Sequence, residues 1–107
     1  MRASFVPDRG YVMTQGQMPL VVVSGKDFND RVSAFVCWPV SSDGTQESNP
    51  FAVRIGNKRH GFGYVMCHQP RTILWRTEAV SRHPWLRMDP KSFTAALFKL
   101  NAVINFE

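Results

Sequence analysis

The sequence predicts one small α+β domain, mainly β, in which short antiparallel strands form a strongly bent sheet or barrel of SH3-like size with a C-terminal helix. Short apolar, β-branched runs recur through the first two thirds of the 107 residues, and turn residues separate them. Near the C-terminus the apolar spacing changes to a helical period. A chain of this length holds a single core, so residues 1–107 are predicted to be one domain.

Five runs are predicted as strands because they are short, apolar and rich in β-branched residues. They are Tyr11–Met13, Leu20–Val23, Ala34–Trp38, Phe51–Ile55 and Gly63–Cys67. The polar segment 41–50 is long for a hairpin connection, which leaves a binding loop and a mobile linker as alternatives.

The C-terminal segment is predicted as a helix of about 15 residues. Asp89 is a suitable N-cap, and Pro90 fits the first helical position. An apolar stripe follows at helical spacing and comprises Phe93, Ala96, Leu97, Leu100, Val103 and Ile104.

Composition excludes several classes of protein. No apolar run approaches the roughly 18–20 residues of a membrane helix, and the N-terminus lacks the apolar core of a secretion signal, so we expect a cytoplasmic protein without membrane contact. Cys37 and Cys67 are expected to be reduced and buried in strands. The cysteines and three histidines lack metal-ligand spacing, so neither a metal nor a cofactor is expected.

Positive charge is concentrated between Arg54 and Arg87, where seven basic residues and one acidic residue give +6, whereas the rest of the chain carries −1. Such a segment favours binding to a polyanion or to an acidic protein, and a merely solvated basic face is the alternative.

The segment Val65–Ile73, V-M-C-H-Q-P-R-T-I, resembles the V-R-C-D-Q-P-R-T-I motif of the PemK (Kid) toxins, a branch of the MazF/PemK endoribonuclease family. Collinear matches to the family lie at Phe5–Gly10, Pro19–Ser24, Pro39–Ser42 and Pro50–Val53. The resemblance implies an SH3-like barrel with a C-terminal helix and a homodimer that cuts single-stranded RNA without a metal. It also implies an acidic antitoxin as partner, with operator DNA reached through that antitoxin.

The sequence differs from the family at positions that serve RNA contact and catalysis in the family. The loop at residues 11–18 is about ten residues shorter than in the family, and Met18 stands where the family has an arginine. Met66 and His68 stand where PemK has its catalytic arginine and aspartate. A thioether carries no charge, so neither methionine can replace an arginine at a phosphate.

We therefore predict a rewired catalytic set of His68 for proton transfer, Arg71 for the phosphate and Ser41 as a hydrogen-bond donor, with His60 or His83 as a second histidine. The residues predicted to bind RNA are Gln15, Gln17, Ser42, Gln69, Arg54, Lys58, Arg59, Trp75 and Arg76. Two other functions stay open. One is a catalytically degenerate relative that binds RNA, DNA or an antitoxin, and the other is a gyrase poison of the CcdB type on the same fold.

Overall fold

The computed structural model describes residues 5–57, 59 and 61–104. The elements are β1 (Tyr11–Gln15), β2 (Met18–Val22), α1 (Lys26–Val32), β3 (Phe35–Ser41), a 3-10 helix (Gly44–Ser48), β4 (Ala52–Asn57), β5 (Gly61–Met66), β6 (Arg71–Ile73), β7 (Val80–Arg87) and α2 (Pro90–Ile104). None of the helices in these ranges is long and apolar enough to cross a membrane.

The strands form one curled antiparallel sheet in the order β4-β5-β3-β2-β1-β7. Strand β3 pairs with β2 along one edge, while its other edge pairs first with β6 and then with β5. The two ends of the sheet meet at Trp85 of β7, because a Cβ added to Gly56 of β4 or Gly63 of β5 would lie 3.0 Å from its ring. The sheet is therefore a half-barrel, and the predicted fold class is confirmed.

Two clusters of buried side chains form the core. The helix-side cluster lies under α2 and comprises Val12, Val21, Trp38, Val40, Ile55, Val65, Cys67, Met88, Phe93 and Ala96. The Phe35 cluster comprises Met13, Leu20, Val22, Phe35, Cys37 and Ile73. Alternate residues of β1 and β2 enter different clusters, because successive side chains of a strand point to opposite faces.

Helix α2 begins where the sequence predicts. Asp89 accepts hydrogen bonds from the backbone N–H groups of Ser92, through its carboxylate at 3.1 Å, and of Phe93, through its carbonyl at 2.8 Å. Phe93 packs on Trp38 with ring centroids 5.7 Å apart. The apolar stripe is narrower than predicted, since Leu97 is exposed, and the side chains of Val103 and Ile104 lie outside what the structure describes.

Each of the five predicted strands overlaps an observed one, and four further elements were not predicted: α1, the 3-10 helix in the polar segment 41–50, β6 and β7. Helix α1 carries a polar sequence whose one buried side chain is Asn29, so it has no apolar stripe to detect. Strand β6 has three residues, and β7 contains Pro84 among charged residues. Cys37 lies in β3 and Cys67 directly follows β5; both are free and buried.

Candidate functional site

Two neighbouring pockets form a groove along β2, β3, β5 and β7. The larger has a volume of about 570 Å³, the smaller about 320 Å³, and they share Met18, Val40 and Ser41. The larger is also lined by Gln15, Gln17, Pro19, Ser42, Phe62, Gly63, His83 and Trp85. The smaller is also lined by Pro39, Gln46, Met66, Gln69 and Arg71. We refer to the two together as the main groove.

Arg71 supplies the positive charge of the smaller pocket. It belongs to β6 and pairs with Cys37 of β3, and its Nη1 lies 3.7 Å from the Sδ of Met18. In the described ranges, the single ion pair joins Arg76 and Asp30, so Arg71 has no carboxylate partner there. A thioether is a weak acceptor, which leaves most of the donor capacity of this guanidinium for a ligand.

Cys37 of β3 is the strand partner of Arg71, but its thiol is unsuited to nucleophilic chemistry. Burial raises the pKa of its thiol to about 12, although the neighbouring Arg71 lowers it. The thiol is therefore protonated at neutral pH and acts as a small apolar side chain.

His83 lies in the larger pocket. Its Nδ1 accepts a hydrogen bond of 3.1 Å from the backbone N–H of Trp85, and its ring packs on that of Trp85 with centroids 4.5 Å apart. In the neutral imidazole this bond leaves the proton on Nε2. Gln15 at the same end donates from Nε2 to a carboxylate oxygen of Glu78.

A wide bulge in β7 brings His83 and Trp85 to the groove. Arg82 pairs with Met13 and Arg87 with Tyr11, so the four residues 83–86 face a single residue of β1. Leu86 adopts φ 64°, a left-handed conformation that strains a branched side chain. Pro84 is tolerated because β7 is an edge strand, and bulges of this kind redirect side chains.

The serines lie where the two pockets join. Ser41 Oγ accepts a hydrogen bond of 3.1 Å from the backbone N–H of Asp43, and its own hydroxyl hydrogen is the group it can donate. Ser42 follows it and is exposed.

His68, predicted as the catalytic histidine, lines neither pocket. Its ring packs against Phe51 with centroids 5.8 Å apart, and its Nε2 lies 3.3 Å from Nε2 of Gln69. Its Nδ1 is buried and has no hydrogen-bond partner among the described residues. Of the predicted catalytic residues, the main groove thus contains Ser41 and Arg71.

The predicted RNA-binding residues are divided among several places. Gln15, Gln17, Ser42 and Gln69 line the main groove. Trp75 and Arg76 line another pocket: Trp75 donates from Nε1 to the carbonyl of Asn29, and Arg76 stacks on Trp75 and pairs with Asp30 at 2.7 Å.

Two further basic residues predicted to bind RNA lie at or near the β4–β5 hairpin. Arg54 is in a small cavity that meets the main groove at Trp85, and Arg59 is exposed in the turn. Lys58, and the alternative histidine His60, lie outside the described residues.

Sequence reasoning did not predict Trp85, Phe62 and Gln46 as groove residues, and it named His83 only as one of two alternatives for a second histidine beside His68. Phe62 lies between two glycines, and Trp85 follows a proline, so their neighbours gave a usable signal of irregular backbone. Among the residues that the structure describes, no group of three His, Cys, Asp or Glu side chains could hold a metal ion.

Comparison with known proteins agrees with the fold. The family model described as "PemK-like, MazF-like toxin of type II toxin-antitoxin system" matches residues 2–104. No curated protein is significantly similar to the chain in sequence.

Solved structures share the fold at low sequence identity. MazF from Deinococcus radiodurans superposes with a TM-score of 0.84 at 19% identity, over 96% of this chain and 100% of that one. A MazE–MazF complex from the same organism gives 0.85 at 20% identity, over 97% and 100%. An endoribonuclease from a Mycobacterial species in complex with its cognate antitoxin gives 0.69 at 18% identity, over 95% and 96%.

Proposed function

Because this chain belongs to the PemK-like, MazF-like toxins of type II toxin–antitoxin systems, we propose that it is an endoribonuclease toxin that cuts single-stranded RNA without a metal ion. The observation that carries the proposal is the main groove, which combines His83 with several neutral hydrogen-bonding side chains and with Arg71, for which the described part of the chain offers no carboxylate partner. Among the residues that the structure describes, the groove lining contains no carboxylate that would repel a phosphodiester.

The proposed reaction uses the RNA as its own nucleophile. The 2′-hydroxyl oxygen bonds to the adjacent phosphorus, the bond from phosphorus to the 5′-oxygen breaks, and a 2′,3′-cyclic phosphate and a 5′-hydroxyl result. One group accepts the proton of the 2′-hydroxyl, and the leaving 5′-oxygen gains a proton. Negative charge on the phosphoryl oxygens increases on the way, and cationic donors stabilise it.

We assign to His83 the proton that the leaving 5′-oxygen gains, because this imidazole lines the larger pocket and its Nδ1 accepts from the backbone N–H of Trp85, which leaves the proton on Nε2. A water molecule accepts the proton of the 2′-hydroxyl. Arg71 binds the phosphoryl oxygens through its forked N–H groups. Ser41, where the pockets join, donates its hydroxyl hydrogen to the same phosphate. His83 replaces His68 in this assignment because His68 lines neither pocket.

Base recognition falls to the neutral side chains of the groove. Gln15, Gln17, Ser42 and Gln69 offer amide and hydroxyl groups that can bond to base edges. Single-stranded RNA is the proposed substrate because its unstacked bases expose those edges.

A second candidate function is RNA binding without cleavage. It is favoured by Met18 and Met66, which line the smaller pocket beside Arg71 and leave that pocket with one cation. A groove with too few cations for RNA cleavage can still bind RNA, but it stabilises the transition state of cleavage poorly.

We further propose that an acidic antitoxin neutralises the protein by covering the same groove, with operator DNA bound through that antitoxin. The proposal includes a homodimer and a cytoplasmic location. It is supported by the family to which the chain belongs and by a basic block of +6 between Arg54 and Arg87.

The deciding experiment is incubation of the purified protein with a long single-stranded RNA in excess EDTA. We expect cleavage to 2′,3′-cyclic phosphate ends. His83→Ala should slow it by about 10²–10⁴-fold and Arg71→Met by about 10²–10³-fold. His68→Ala is the matched control and should stay within a few-fold of the parent.

Melting curves of all variants separate loss of chemistry from loss of fold. Cleavage that survives His83→Ala and is lost in a folded His68→Ala would refute the assignment of His83. A parent protein that shifts RNA on a gel without cutting it would replace the enzyme with the second candidate.

A further inference from the structure

A small polar cavity adjoins the main groove on the other side of Trp85. It has a volume of about 200 Å³, and we call it the arginine cavity. Its lining comprises Val12, Arg54, Ile55, Gly56, Trp85, Arg87, Met88, Asp89 and Ser92. Trp85 is the residue that it shares with the main groove, so the two sites are one aromatic side chain apart.

Its two guanidinium groups are held in place by aromatic rings. Arg54 lies over the ring of Phe62 at 4.7 Å, and Arg87 lies over the ring of Tyr11 at 5.1 Å. Neither forms an ion pair with a carboxylate in the part of the chain that the structure describes. Stacking occupies the face of a guanidinium and leaves its N–H edge for an anion. Arg54 also hydrogen-bonds the Tyr64 hydroxyl, which donates to Glu47 at 2.7 Å, so its remaining N–H groups act together with those of Arg87.

The one acidic residue of the cavity is already engaged. Asp89 caps α2, and its Oδ2 accepts from the backbone N–H of Ser92 at 3.1 Å and lies 3.5 Å from the Ser92 hydroxyl. Two positive charges therefore face one carboxylate that is held at the start of a helix. The cavity retains a net positive charge suited to an oxyanion.

We infer that the arginine cavity binds a backbone phosphate of the RNA, next to the nucleotide held in the main groove. The inference rests on the proposed function, because it extends the same RNA track. Forked guanidinium groups bind phosphate oxygens in pairs, and a polar cavity of about 200 Å³ with two arginines, beside the larger pocket of about 570 Å³, suits a phosphate rather than a base.

RNA is favoured over a free anion because of Trp85. A ligand that reaches both sites must cross this side chain, and a nucleotide chain carries alternating bases and phosphates that can do so. The same arrangement predicts that short RNA, confined to the main groove, does not use the arginine cavity.

The test measures binding of RNA that cannot be cut, namely 2′-O-methyl oligonucleotides of two and of eight nucleotides. The variants are Arg54→Met, Arg87→Met and their combination, with Arg31→Met as the matched control. Arg31 is exposed on α1 and lines neither the main groove nor the arginine cavity. Arg87→Lys keeps the charge but removes the forked donor.

We expect the double variant to bind the octanucleotide about 10–100-fold more weakly at low salt and the dinucleotide as the parent does. Its slope of log K against log salt should fall by about 0.7 for one lost phosphate contact. Arg87→Lys should retain the salt slope with intermediate affinity, and Arg31→Met should match the parent.

An unchanged octanucleotide slope in the folded double variant would overturn the inference. So would an equal loss of both oligonucleotides, because that result indicates a general charge effect. If the parent binds a hexaglutamate peptide and the double variant does not, while RNA binding is intact, the cavity would be assigned to an acidic protein instead.

Binding of inorganic phosphate to the parent, lost in the double variant, with octanucleotide affinity unchanged by phosphate beyond the effect of chloride at equal ionic strength, would assign the cavity to a free anion. None of these measurements requires cleavage. The inference and the proposed enzyme can therefore fail separately.

Discussion

At the scale of single residues, Asn29 holds several segments together from inside the protein. It is fully buried, donates to the carbonyls of Pro7 and Ser24 at 2.8 and 3.1 Å, and accepts from the Ser24 hydroxyl at 2.6 Å. The backbone carbonyl of Asn29 accepts a hydrogen bond from Trp75 Nε1 at 3.0 Å. One amide therefore ties α1 to the N-terminal segment and to the end of β2.

Asn29→Ala is expected to lower the free energy of unfolding by about 3 kcal/mol, because it removes the donor to the carbonyls of Pro7 and Ser24 and the acceptor of the Ser24 hydroxyl hydrogen. Asn49→Ala is the matched control. Asn49 makes a similar number of side-chain bonds in a more exposed loop, where water replaces them, so its loss should stay below about 1 kcal/mol. Urea unfolding measures both, and equal losses would contradict the structural role of Asn29.

Residue identities predicted some of the side chains that line the main groove and missed others. Arg71 and Ser41 were proposed because they stand in segments that resemble the family, and both line the main groove. His68 stands in the same motif, yet its side chain packs on Phe51 instead. A motif gives the path of the backbone, whereas the direction of a side chain after a strand depends on neighbours that are distant in sequence.

At the scale of elements, the close contact between β5 and β7 depends on Gly63. A Cβ at this position would lie 2.6 Å from Cγ1 of Val40 and 3.0 Å from Cη2 of Trp85. Both neighbours line the larger pocket, so the glycine sets how deeply Trp85 enters the half-barrel.

Gly63→Ala is expected to cost about 1–3 kcal/mol of stability through overpacking and to weaken RNA binding, because Trp85 must move. Gly44→Ala is the control, since a Cβ at Gly44 meets nothing within 4 Å, and its effect should stay within about 0.5 kcal/mol. Chemical unfolding and oligonucleotide binding test the pair. A Gly63→Ala protein as stable as the parent would contradict the packing at Trp85.

Local pattern predicted those elements that have a regular period. The strands around Val21, Trp38 and Val65 are buried apolar runs, and α2 has a capped helical period, so each is visible without tertiary information. Strand β7 is different, because four of its residues face one residue of β1 and Pro84 interrupts it. Its existence depends on pairing with β1, which the sequence of β7 alone does not indicate.

At the scale of the whole molecule, the basic block between Arg54 and Arg87 does not form one surface. Arg71 faces the main groove, Arg54 and Arg87 line the arginine cavity, and Arg76 is paired with Asp30. The predicted excess charge is real, but the curl of the sheet decides which arginines can share a ligand. That curl depends on contacts across the sheet and could not be predicted from charge spacing.

Stability at high pH is also a property of the whole molecule, because each core cluster contains one thiol. Burial raises the pKa of Cys37 from its ordinary value of 9.0 to about 12, and burial raises that of Cys67 to about 11. The folded state therefore keeps both protons at a pH where the unfolded chain loses them. The stability that each protonated thiol contributes is fully present below the pKa of the unfolded chain. It decreases as the pH rises toward the pKa of the folded protein.

Each thiol is expected to lower the free energy of unfolding by about 1.4 kcal/mol per pH unit between roughly pH 9 and its folded pKa. The free energy of unfolding of Cys37→Ala should therefore decline less steeply with pH than that of the parent, by that amount per pH unit. Below pH 8 the two plots of free energy against pH should run parallel. Urea unfolding across this range measures the difference, in which the titration of lysines and tyrosines cancels. Parallel curves throughout would mean that Cys37 ionises in the folded protein as readily as in the unfolded chain, and that the Phe35 cluster admits water.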